Sequence, residues 1–148
     1  MATGPNPTNL HNGGKAFNPP LSLPWLSHIA FNGTCIDVLA TGSLLLPEFV
    51  EYKGGVFLGI HFARDNFSQW MRVPGNMQDV EKVINHVHVY DLLLYDRNIS
   101  DHDACLVARL LKRCWMLALH AGFSGWEFDV VVSEPKDEHG PFVTFSGK

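Results

Sequence analysis

The chain has 148 residues, enough for one domain with a packed core. With 46% hydrophobic and 18% charged residues, the composition excludes global disorder, and a net charge of −4 gives no footprint for nucleic acid or an anionic membrane. No apolar stretch approaches the ~18 residues that a membrane span needs.

Residues 1–27 hold five of the nine prolines, three glycines and four asparagines, with Lys15 as their one charged side chain. That composition predicts an extended arm. Leu21, Leu23, Trp25 and Leu26 are costly to leave in water, so the end of the arm should pack on the domain or on a neighbouring subunit. Residues 28–40 are rich in apolar and β-favouring types and read as a strand. Residues 44–52 and 56–63 flank Lys53-Gly54-Gly55 and read as a hairpin. The second arm, Val56 to Ala63, is almost wholly apolar and reads as a strand buried on both faces. Gly59 within it predicts a bulge or a close backbone approach.

Residues 64–76 read as a loop. Asn76 caps a predicted helix over 77–85, with Val80, Val83 and Ile84 at helical spacing and Val87 continuing the pattern. Residues 86–95 read as a strand. Ser100 and Asp103 form a capping pair for a long helix over 101–121. Val107, Leu110, Leu111, Cys114, Leu117, Ala118 and Ala121 share one arc of it. Residues 126–132 alternate like a half-buried strand, a charged loop runs from Glu134 to Gly140, and Phe142 to Phe145 form the last strand.

The predicted order is β-β-β-α-β-α-β-β. The hairpins imply a mainly antiparallel sheet, and one long amphipathic helix needs a sheet face to cover. The fold class is therefore α+β, a two-layer sandwich. The predicted organisation is an arm over 1–27 and a single domain over 28–148.

His86 and His88 share a face if their segment is a strand, so both imidazoles can reach one metal. His61 is the candidate third ligand, and Glu127 or Asp129 the candidate carboxylate. Such a set suits zinc, iron or manganese. The same histidines can instead be buried structural groups or an acid–base pair. Trp70, in the predicted loop beside Arg72, is a candidate exposed anchor for an interface or ligand. Trp25 belongs with it as a candidate contact in the arm. Arg109 and Arg113 lie on the polar stripe of the long helix with His102, Met116 and His120, a candidate surface for an acidic partner. Two arginines are too few to argue for nucleic acid.

Three cysteines without paired spacing argue against a disulfide framework and for a reducing cytoplasm. The opening residues carry no basic and apolar regions of a secretory signal. No P-loop, dinucleotide glycine pattern or nucleophile elbow is present. These readings favour a small non-catalytic binding or accessory domain that forms a homodimer, with a protein partner, no nucleic acid and no membrane. One alternative is a small metal-dependent or acid–base enzyme using His86 and His88. Another is a carrier of an apolar small ligand.

Overall fold

The computed structural model describes residues 23–72, 76–93, 98–133 and 140–148, with the backbone alone for 23–27. The predicted arm up to Ser22, the Trp25 side chain and most of the charged loop after Ser133 lie outside the described residues. The chain divides into two compact units, Met1–Gly42 and Ser43–Lys148.

The described residues of the first unit are helical where a strand was expected. Helices α1 (Leu23–Asn32) and α2 (Cys35–Leu45) replace the predicted strand over 28–40. Local chemistry explains the difference. The Thr34 hydroxyl accepts from the Asp37 backbone N–H at 3.2 Å, while the Asp37 carboxylate accepts from the Thr34 N–H at 2.8 Å and its hydroxyl at 2.7 Å. This reciprocal box starts α2 and outweighs the β preference of the isoleucine and valine that follow. Gly33 ends α1 by donating its N–H to the Ile29 carbonyl, and a Cβ at Gly33 would stand 2.8 Å from that oxygen.

The second unit is built on two antiparallel sheets and one long helix, an α+β fold. Strands β1 (Phe49–Tyr52) and β2 (Gly55–Leu58) form the expected hairpin. Its turn residues Lys53 and Gly54 have φ of 51° and 81°, the two positive values of a type I′ turn. Val56, Phe57 and Leu58 are at most 1% exposed. The strand then stops short of its predicted end. Gly59 donates to the Glu48 carbonyl at 2.8 Å, the chain turns, and Ile60 is 84% exposed. The predicted loop that follows contains a short helix, α3 (Arg64–Trp70). Its Phe67 is buried against Phe57, Val80 and Ile84.

Helix α4 (Met77–Ile84) begins where expected, with the Asn76 side chain accepting from the Asp79 N–H at 2.9 Å. The predicted strand 86–95 shrinks to β3 (Val87–His88), followed by the single turn α5 (Val89–Leu92). Val89 still donates to the Pro141 carbonyl, but the chain then leaves the sheet and the Tyr90 hydroxyl donates to Asp101. Helix α6 (Asp101–Gly122) has its expected cap, with Ser100 Oγ accepting from the Asp103 N–H at 3.1 Å. Strands β4 (Phe128–Val132) and β5 (Phe142–Gly147) complete a sheet of order β3-β5-β4.

The buried face of α6 is rotated from the predicted arc. Ala104, Ala108, Leu111, Trp115 and Leu119 are buried, while Leu117 is 63% exposed. Trp115 sets the rotation: its ring packs edge-on against Phe145, and its indole N–H donates to the Leu44 carbonyl at 3.0 Å. A buried indole needs such an acceptor.

Two polar side chains of α4 and its C-cap tie the sheets together. Glu81 is 2% exposed; one oxygen accepts from the Val56 N–H at 2.7 Å and the other from the Gly147 N–H at 2.9 Å. Asn85 is fully buried; its Oδ1 accepts from the Leu58 N–H, and its Nδ2 donates to the Val56 and Phe145 carbonyls. These side chains satisfy backbone groups of β2 and β5 that no neighbouring strand serves. Left unpaired, such groups would each cost about 1–3 kcal/mol. Burial raises the Glu81 pKa above the usual carboxylate value, and the two backbone N–H donors oppose that rise.

Candidate functional site

The two faces of the β3-β5-β4 sheet have different neighbours. Val130, Val143 and Phe145 belong to the core under α6. Phe142, Thr144 and Val131 lie on the opposite face, because side chains alternate along each strand. There the Thr144 hydroxyl donates to the Lys82 carbonyl of α4 at 2.6 Å. Between α4 and this face lies an open depression of about 730 Å³, lined by Lys82, Val83, His86, Val131, Phe142 and Thr144. Val83 was expected on the buried side of α4. It is 40% exposed at this rim, and Glu81 takes the buried position.

His86 lines the depression, and His88 lies beside it. Their Nε2 atoms are 3.0 Å apart, and the His86 ring packs on Phe142 with centroids 4.2 Å apart. Two nitrogens at that distance need one proton between them, so one ring donates and the other accepts. Burial, and then the neighbouring His88, hold the His86 pKa below the ordinary histidine value.

The remaining candidate ligands do not join this pair. The His61 side chain bonds the Ile84 carbonyl through Nδ1 at 3.2 Å. Glu127 is exposed at the other end of β4, 3.9 Å from the Lys148 ammonium. Asp129 is exposed on β4. Among the described residues, no group of three or more His, Cys, Asp or Glu side chains could hold a metal ion. The one hydroxyl that lines the depression, that of Thr144, is engaged by the Lys82 carbonyl.

Trp70 ends α3 with 41% of its surface exposed, and Arg72 follows it at the surface. Arg109, Arg113, His102, Met116 and His120 are exposed on α6. No second cluster converges on either group among the described residues.

The first unit also carries exposed apolar side chains. Ile29 is 52% exposed, Phe31 84%, Ile36 75% and Val38 55%. Asp37 is the one acidic residue of α1 and α2, and neither helix carries a lysine or an arginine. No residue of α2 is buried. Sequence reasoning missed this surface because it took the segment for a strand. The Thr34-x-x-Asp37 box after Gly33 was the available signal. No helix of the described residues is long and apolar enough to cross a membrane.

No family model, no curated protein and no solved structure matches this chain.

Proposed function

We propose that the protein is a non-catalytic binding and accessory module of the cytoplasm that self-associates, with the α1–α2 pair as its contact surface. The observation that carries this reading is the exposure of Ile29, Phe31, Ile36 and Val38 on two helices with a single acidic residue between them. Apolar surface in water costs about 25 cal/mol per Å², and contiguous patches of this kind mark contact sites. The free thiols of Cys35, Cys105 and Cys114 fit a reducing compartment. The engaged state of Thr144, which lines the depression with His86, supports a binding role over an acid–base enzyme.

The test is light-scattering mass against concentration for the full chain and for the Phe31→Glu/Ile36→Glu variant. The wild type should assemble with rising concentration, and the variant should lose at least part of that assembly. A wild type that stays monomeric at every concentration overturns the reading.

A further inference from the structure

Among the described residues, strand β4 presents a bare edge. Ser133 donates to the Phe142 carbonyl and Lys148 donates to the Glu127 carbonyl. Odd-numbered residues of this segment therefore turn their backbone groups toward β5. Alternation turns the N–H and C=O groups of Phe128, Val130 and Val132 outward. β4 is the last strand of its sheet, and no backbone or side-chain partner reaches that edge among the described residues. Proteins usually blunt such edges with proline, lysine, a bulge or a short strand. β4 has none of the first three and a single charge, Asp129: it reads Phe-Asp-Val-Val-Val and pairs with β5 in unbroken register. The outer edge of β1 differs in being four residues long and in having Lys53 at its turn.

We infer that the β4 edge pairs antiparallel with β4 of a second copy of this chain, about a twofold axis at Val130. The proposal adds a second contact to the self-association argued above, and it rests on that reading only in requiring that copies meet. A twofold at Val130 sets Phe128 opposite Val132 of the second copy and Val130 opposite itself. All three are outward residues, so each exchanges an N–H and a C=O with its opposite number. The same axis sets Asp129 opposite Val131 of the second copy. Moving the axis to Asp129 would place that carboxylate against its own image, and like charges directly opposite destabilise a pair. Charge placement excludes the register centred on Asp129, and only the register centred on Val130 pairs all three outward residues with one another.

The experiment starts from the full-length Phe31→Glu/Ile36→Glu variant, in which the helix-pair contact is removed. Its mass is measured alone, with Val131→Asp added, and with Val131→Asp and Asp129→Lys added together. Val131 is 38% exposed, so the first addition is tolerated by the fold, which circular dichroism checks. The starting variant should be a dimer. Val131→Asp puts two carboxylates opposite each other twice per dimer and should raise the dissociation constant about tenfold. The added Asp129→Lys sets an ammonium opposite each new carboxylate and should restore dimerisation. A monomeric starting variant overturns the β4 pairing and leaves the helix-pair reading standing. A dimer indifferent to Val131→Asp, or one that Asp129→Lys does not restore, also overturns it. A monomeric wild type overturns both readings.

Discussion

Two apolar stretches of this chain meet opposite fates. Val56, Phe57 and Leu58 are sealed from solvent, while Ile36 and Val38 are 75% and 55% exposed. Hydrophobicity alone does not separate them. β2 presents alternate side chains to two different clusters: Val56 and Leu58 to the core under α6, Phe57 to the core around Phe67. Its backbone is served by β1 on one side and by Glu81 and Asn85 on the other. α2 satisfies its own backbone and carries apolar groups with no polar face of its own. A strand is thus drawn into a core by the need to pair. A self-sufficient helix can leave its apolar side chains outside until another surface arrives.

The largest effect should come from breaking the support of β2. Asn85→Asp replaces an amide that donates to two carbonyls with a carboxylate that faces them. A loss of about 3–5 kcal/mol is expected, measured by urea unfolding, because an uncompensated charge is then buried. Protonating that carboxyl in acid should recover part of the loss.

Glu81→Gln is next. The amide nitrogen would face a backbone N–H, Val56 or Gly147, and lose one bond, at a cost of about 1–3 kcal/mol. A protonated Glu81 is not equivalent, because its hydroxyl oxygen still accepts. The folded-state pKa of Glu81 lies above its unfolded value near 4.5. Its contribution is therefore most favourable below that value and declines as pH rises through the raised folded value. Unfolding curves across that window should show this slope in the wild type and not in the variant.

Thr34→Ala should have a smaller, local effect. Amide exchange at the start of α2 should quicken about fivefold, the loss typical of an N-cap, while global unfolding barely moves. Hydrogen bonds from Thr34 hold the Asp37 pKa below its ordinary value. The cap is therefore intact above that ordinary value and should fray as pH falls through the lowered one. Smallest in stability is Ile36→Ser, expected within about 0.5 kcal/mol because the side chain is already in solvent. A large loss of stability for this variant would mean that α2 is not the free surface drawn here, and would remove the contrast with β2.

Local chemistry made several elements legible. The Lys53-Gly54 turn, the Asn76 and Ser100 caps and the β4 alternation each depend on residues within a few positions of one another, and each stands where the sequence places it. The helix at 35–45 was equally local, but its Thr34-x-x-Asp37 box competes with a run of β-favouring side chains, and the cap prevails. The closeness of His86 and His88 followed from a spacing of two. The separation of His61, Glu127 and Asp129 from that pair did not, because it depends on strand order.

Short-range periodicity and hydrogen bonding account for the α+β class, the hairpin and the caps of α4 and α6, all of them legible in the chain. The order β3-β5-β4, which leaves β4 as an open edge among the described residues, emerges only in the packed fold. The packed fold also sets the rotation of α6 about Trp115 and the use of Glu81 and Asn85 as a buried link between sheets. Those choices join groups as far apart in the chain as Asn85 and Phe145. No local preference encodes them, since they arise when buried backbone groups and one large indole must all find partners in the same core.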